Sequence, residues 1–157
     1  MGLTRVAASS LPSSPDGFKN RLSKAGDSTY LFWIVDDDAA TGQPWCPDVR
    51  AALPVVENYF AEHPDLSISA VSVGSRAAYV YLAPPNLKRI ALNSCWYLCR
   101  WKDPETSKLW RSTWGIKAVP TLVKYTRAEE GGVILREQLV ETDAANEEKL
   151  AAFTNGV

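Results

Sequence analysis

Apolar residues along this chain fall into blocks with two different periods. Tyr30-Leu-Phe-Trp-Ile-Val35 is a continuous apolar run closed by Asp36-Asp37-Asp38, the pattern of a strand covered on both faces. After a polar loop over 36–44 the period changes, and Ala52, Val55, Val56, Tyr59 and Phe60 recur at helical spacing until Pro64 stops them. Leu66-Ser-Ile-Ser-Ala-Val-Ser-Val73 returns to a β-branched pattern ending at Gly74. Strand, helix and strand in that order predict a parallel β-α-β unit.

Weaker signals flank this unit. Residues 1–15 form a Ser- and Pro-rich leader with a short strand expected at Thr4–Ala7. Asp16 is placed to cap a helix through Phe18, Leu22 and Ala25, which Gly26 would end. Farther on, Ser107–Trp114 reads as a short helix and Thr121–Tyr125 as a strand entered through Val119-Pro120. Val133–Leu139, reached through Gly131-Gly132, suits an antiparallel hairpin partner. A last helix from Asp143 through Leu150 and Phe153 would cover one sheet face. The class is α/β, a central mixed sheet flanked by helices.

Composition narrows the function. A chain of 157 residues fits one domain, expected to span 1–157 with its core at about 16–154. With 46% hydrophobic and 22% charged residues, it has the balance of a globular protein. Its 17 basic and 18 acidic side chains generate no positive field, so neither nucleic acid nor a membrane is an expected partner. The N-terminal apolar stretch is too short for a secretory leader and no run approaches a bilayer span, so export is not expected. Val6 breaks the myristoylation pattern that Gly2 begins. Three cysteines, Cys46, Cys95 and Cys99, read as thiols rather than a disulfide scaffold.

Cys46 carries the candidate chemistry. At the first turn of a helix its sulfur meets backbone N–H groups and the positive end of the dipole, which favours thiolate. Trp45 can lay an apolar face beside it, and Pro47 suits a first turn because its missing N–H is not needed there. Asp48 suits the helix N-terminus, yet its charge raises a neighbouring thiol pKa, so the net shift has no sign from sequence. Most unpaired cysteines are packing residues; the placement after Trp and before Pro-Asp favours reactivity. Cys95-Trp-Tyr-Leu-Cys99 has neither redox nor zinc spacing, and with His63 the single histidine no metal site or cofactor is expected. No Ser-His-Asp set, phosphate loop or carboxylate dyad stands out, which removes hydrolase and kinase readings.

Trp45-Cys-Pro-Asp48, Trp101-Lys-Asp-Pro104 and Ala118-Val-Pro-Thr121 together resemble the thioredoxin domain-containing protein 17 family. The resemblance runs from about Phe18 to Phe153, takes in Pro54-Val55-Val56 and Leu122–Tyr125, and implies a thioredoxin-like fold. It also implies a cytosolic protein that reduces disulfides in small thiols and selected proteins, with thioredoxin reductase as electron donor. In that setting Val119-Pro120 is a cis peptide facing the cysteine, with the preceding backbone free to pair with a bound peptide.

Two departures limit the carry-over. Val49 stands where the family has its second, resolving cysteine, so Cys46 is left with the first attack on a disulfide, and release falls to an external thiol such as glutathione or to another cysteine of the chain. Residues 75–100 interrupt the match with a Tyr-, Leu- and Ala-rich stretch, expected to be translated intron sequence or else a partner-binding insert. The expected activity is thiol-disulfide exchange through Cys46 alone, on a disulfide-containing protein or small-thiol substrate. Rival readings are a thioredoxin-fold binding module without catalysis and a peroxide-reactive cysteine cycling through sulfenic acid.

Overall fold

The computed structural model describes residues 3–6, 10–20, 22, 27–74, 109–128 and 134–155. Among them, five strands and two α-helices follow in the order β1 (Thr4–Val6), β2 (Ser28–Ile34), α1 (Pro47–Glu62), β3 (Ile68–Ser72), β4 (Thr121–Arg127), β5 (Ile134–Val140) and α2 (Glu147–Asn155). The expected insert at 75–100, Cys95, Cys99, Trp101–Pro104 and Gly131-Gly132 lie outside the described residues.

The strands form one mixed sheet in the order β1-β3-β2-β4-β5. β2 and β3 run parallel, Tyr30 beside Ile68 through Ile34 beside Ser72, which is the β-α-β unit that the sequence predicts. β1 adds a parallel edge to β3. On the other side β4 runs antiparallel to β2, with Trp33 opposite Thr121, and β5 closes the hairpin with Thr121 opposite Val140. β2 therefore has strands on both sides and elements on both faces, and Tyr30 to Val35 are all buried, as a continuous apolar run requires.

Alternation along β2 divides the core in two. On one face the Tyr30 ring meets Phe60 of α1 at 5.2 Å and Phe153 of α2 at 6.2 Å, both edge-on. On the other, Trp33 meets Trp114 at 5.7 Å, and Phe18 packs on Trp114 and Tyr125 at 5.8 and 5.2 Å. Burying each ring contributes roughly 2–3 kcal/mol before ring geometry adds its smaller share.

Three elements differ from their sequence expectation. The segment after Asp16 is a 3-10 helix, Pro15–Asn20; Gly17 lies so close to Pro12 that a Cβ there would stand 2.3 Å from the proline ring, and the chain is wound tightly against its own leader. Of the helix expected at Ser107–Trp114, Ser107 and Lys108 lie outside the described residues and Leu109–Thr113 is a wide π turn, with Gly115 at φ +65° just beyond Trp114. The last helix is split: Glu141–Ala145 is 3-10, and α2 begins only where the Asn146 side chain accepts the Lys149 N–H at 3.0 Å. Within α1, Pro54 is tolerated because it sits on the exposed face, where the Arg50 carbonyl it strips of a donor can turn to water.

Candidate functional site

The loop from β2 to α1 is built by backbone bonds. The Asp38 carbonyl accepts the N–H groups of Thr41 and Gly42 at 3.2 and 2.7 Å, and the Asp38 N–H returns a bond to Gln43 at 2.7 Å. Gly42, at φ +65°, supplies the left-handed residue of this turn. An Asp37–Pro44 bridge then lays the returning chain beside the outgoing one, so that the Trp45 N–H reaches the Asp36 carbonyl at 3.4 Å.

Trp45 is fixed twice. Besides that backbone bond, its indole N–H donates to the Gly74 carbonyl at 3.3 Å, and the same carbonyl accepts the Asp36 N–H at 3.1 Å. Gly74 sits at φ +114°, a backbone conformation that side chains rarely adopt. The Ser72 hydroxyl donates to the Asp36 carboxylate in a short bond and accepts the Gly74 N–H at 3.1 Å. The end of β3 is thus a polar latch on the residue preceding the cysteine.

Cys46 is the N-cap of α1, with extended φ −86° and ψ 123°, and Pro47 opens the helix. Its carbonyl accepts the Arg50 N–H at 3.1 Å, the first helical bond, and its side chain makes no capping bond. The N–H groups of Asp48 and Val49 therefore begin the helix without intrahelical acceptors, next to the thiol. Cys46 exposes 6% of its surface and Trp45 5%, whereas Pro47 and Asp48 are exposed. Val49 points fully into the core.

The Val119–Pro120 bond is cis, both residues are buried, and the Thr121 hydroxyl donates to the Ala118 carbonyl at 2.8 Å. Since β4 starts opposite Trp33, near the end of β2, this peptide lies at the sheet end from which α1 departs. Topology brings Trp45, Cys46, Pro47, Asp48, Val119 and Pro120 to one end of the sheet.

Each carboxylate of the acidic triplet is held within the fold. Asp36 is taken by Ser72, Asp37 by Arg5 of β1 at 2.7 Å, and the Asp38 carboxylate by the Ala40 N–H at 2.8 Å. Sequence reasoning missed these partners: the Asp38–Ala40 contact is a local Asx turn, but Arg5 and Asp37 are 32 positions apart, and the Gly74 acceptor is a carbonyl every residue has. A cavity of about 740 Å³ lies at the opposite sheet end between Asp27–Leu31, Asp65–Ser67, Lys124 and Thr126. It touches neither Cys46 nor Pro120. Among the described residues no group of three or more His, Cys, Asp or Glu side chains could hold a metal ion, and no helix is long and apolar enough to cross a membrane.

Comparison with known proteins agrees with this architecture. Residues 16–104 match the thioredoxin domain of the thioredoxin domain-containing protein 17-like family. A thioredoxin domain-containing protein of Schizosaccharomyces pombe is 32% identical over 127 residues, covering 81% of this chain and 82% of its own. Among solved structures, Fasciola hepatica thioredoxin superposes with a TM-score of 0.51 at 16% identity, covering 98% of each chain. Trichomonas vaginalis thioredoxin gives 0.51 at 12% identity over 98% of this chain and 96% of its own. At these identities the structures establish the thioredoxin fold.

Proposed function

The chain belongs to the thioredoxin domain-containing protein 17-like family, and on that footing we propose that it is a thiol-disulfide oxidoreductase working through Cys46 alone, in a reducing compartment such as the cytosol. The observation that supports this reading best is the position of Cys46 as N-cap of α1, ahead of two N–H groups without helical acceptors and at the sheet end that also holds Val119–Pro120. The helix start favours charge on sulfur while burial and the Asp48 carboxylate oppose it, and no step needs a metal or cofactor.

The chemistry balances with one protein thiol. The Cys46 thiolate attacks one sulfur of a substrate disulfide; a Cys46–substrate bond forms, the substrate S–S bond breaks, and the departing thiolate takes a proton from water. In the family's cycle a second cysteine then displaces the substrate, but Val49 holds that position and has no sulfur to offer. An external thiol such as glutathione therefore attacks the mixed disulfide, regenerates the Cys46 thiolate and leaves as a new disulfide with the substrate half. Thioredoxin reductase is the electron donor that the family relationship suggests, acting on the external pool or on the adduct. Trp45 and Asp48 tune the sulfur, Pro47 leaves the first turn open, and Val119 with Pro120 provides the edge on which a peptide docks.

One observation favours a second reading. Cys46 is nearly buried and Val49 fully so, which suits a thioredoxin-fold module that binds a partner without turnover. The deciding experiment measures glutathione-dependent reduction of a small mixed disulfide by wild type, Cys46→Ser and the double variant Cys95→Ser/Cys99→Ser. The proposal expects activity in the first and last, none in Cys46→Ser, and a glutathione adduct mapped to Cys46. Activity surviving in Cys46→Ser would remove the one-cysteine route. Neither adduct nor activity in wild type would leave the binding module.

A further inference from the structure

β5 does not end where its regular pairing does. One residue past the Thr121–Val140 pair, the Glu141 N–H donates to the Pro120 carbonyl at 2.7 Å, adding a last rung to the ladder. Proline has no N–H with which to return that bond, so the rung is one-way and Glu141 is held against Pro120 by its own donor. At this point the chain turns with Glu141 at φ +53°, the left-handed region in which glycine is relaxed and a side-chain-bearing residue is not. The 3-10 turn that follows, Glu141–Ala145, packs against α1, the helix that Cys46 caps. Glu141 is thereby set between the proline of the docking edge and that helix, with its side chain exposed.

Its charge is also uncommitted. The ion pairs among the described residues join Arg5 to Asp37, Lys19 to Asp16 and Lys149 to Asp143, and none uses Glu141. Asp37 is paired with Arg5, while Asp36 and Asp38 accept hydrogen bonds within the loop and keep their charge. Other exposed charges lie at this sheet end, Asp48 and Arg50 in the first turn of α1, the latter bonded to the Pro44 carbonyl, and Lys117 ahead of Val119, but none of them is bonded to Pro120. A position where glycine would be relaxed holds instead an acidic residue with its backbone bonded to the peptide-docking edge and its side chain exposed.

We propose that Glu141 is a specificity-determining residue, whose carboxylate beside Pro120 favours disulfide partners with basic residues flanking the cysteine and disfavours acidic ones. This rests on the thiol-exchange reading of Cys46. An exposed charge acts through water on a neighbouring charge, so each mismatch changes the encounter by a small factor, screened by salt.

The test follows release of 2-thiopyridone as Cys46 forms a mixed disulfide with short peptides carrying a thiopyridyl-activated cysteine, flanked by two lysines or by two glutamates. It is run in the Cys95→Ser/Cys99→Ser background. At low ionic strength the lysine peptide should react about three- to ten-fold faster, and the ratio should fall toward one at ~1 M salt. Glu141→Gln should bring the ratio close to one and Glu141→Lys should invert it, while iodoacetamide alkylates Cys46 at the same rate in all three proteins. Glu141→Gly, which relaxes the left-handed residue, should lose selectivity in a fold at least as stable, separating charge from misfolding. A ratio unchanged by these variants overturns the proposal, and so does an altered iodoacetamide rate in Glu141→Gln, which would make its effect one on the thiol itself. Reaction of both peptides at equal rates leaves the redox reading standing and removes Glu141 as selector. Reaction of neither removes the redox reading and this inference with it.

Discussion

Rings and hydrogen bonds occur at both ends of the central strands, but only at one end do the hydrogen bonds frame the thiol. Where β2 and β3 finish and β4 begins, the contacts are directional: the Gly74 carbonyl accepts both Trp45 Nε1–H and the Asp36 N–H, Ser72 binds Asp36, and the Glu141 N–H binds Pro120. Where β2 and β3 begin, rings and a cavity, Tyr30 against Phe60 and Phe153 beside an opening of about 740 Å³, stand with bonds that tie Ser28 to Thr126 and Lys124 to the Phe153 carbonyl, none of which reaches the thiol. Packing tolerates small displacements at modest cost, whereas a hydrogen bond weakens quickly with angle and distance. A thiol that must meet a disulfide in line is better positioned from the directional end. That is the end where Cys46 stands.

The largest effect expected on this comparison is a gain. Val49→Cys places a second thiol three positions after Cys46, at a site already buried and sized for a small side chain. Reductase-coupled turnover of a disulfide substrate should rise from background by about two orders of magnitude or more, because the mixed disulfide no longer waits for an external thiol. A variant that folds, titrates as a dithiol and still fails to turn over would mean that the docking edge, and not the missing sulfur, limits the protein.

A pair of truncations separates the two ends. Trp45→Ala and Phe60→Ala each empty the volume of a buried ring and should each cost about 3–5 kcal/mol in denaturant unfolding. The pH profile of Cys46 alkylation should move only in Trp45→Ala, which alone removes the indole bonded to Gly74 beside the sulfur. Equal changes in the two profiles would show that the thiol senses global loosening and not its local frame.

These two ends also differ in how much of them the sequence discloses. The apolar run at Tyr30–Val35, the helical period from Ala52 to Phe60 and the hairpin of β4 and β5 follow from residue pattern because burial selects side chains directly. Cys46 at a helix start was legible for the same reason: Pro47 and the period that follows mark the first turn. The latch was not. Its acceptors are the carbonyls of Gly74, Asp36 and Pro120, which carry no residue identity, and its side-chain pairs, Ser72 with Asp36 and Arg5 with Asp37, join strands far apart in sequence. The break at Asn146 was hidden by the apolar period that runs on through it toward Leu150 and Phe153, although an Asn three residues before Lys149 is a cap signal.

Tyr30 gives the packing end a pH signature. Burial, followed by the nearby Tyr59, Glu137 and Asp65, pushes its phenol from the ordinary 10.0 up to about 12. The folded state keeps the proton longer than the unfolded chain, so this contribution is complete below pH 10 and is lost as pH rises from 10 toward 12. Tyr30→Phe should flatten the loss of stability over that interval and leave the neutral-pH alkylation of Cys46 unchanged. A slope identical to wild type would assign the alkaline transition to another group.

The smallest effect belongs to the ion pair that ties the sheet edge to the loop before Cys46. Arg5 reaches both carboxylate oxygens of Asp37, at 2.7 and 3.4 Å, but the two side chains remain 49% and 35% exposed. A pair so open to water is worth roughly 0.2–1 kcal/mol and is screened by salt. Asp37 also owes its position to the backbone bridge with Pro44, which the pair supports without replacing. Arg5→Ala should therefore lower the unfolding midpoint slightly at low ionic strength, with the difference from wild type vanishing near ~0.5 M salt. Trp45 would still be held by Gly74 and Asp36, so the Cys46 alkylation profile should not move. If it moved as far as in Trp45→Ala, the loop would be governed from the β1 edge, and the division between a directional end and a packed end would have to include that strand.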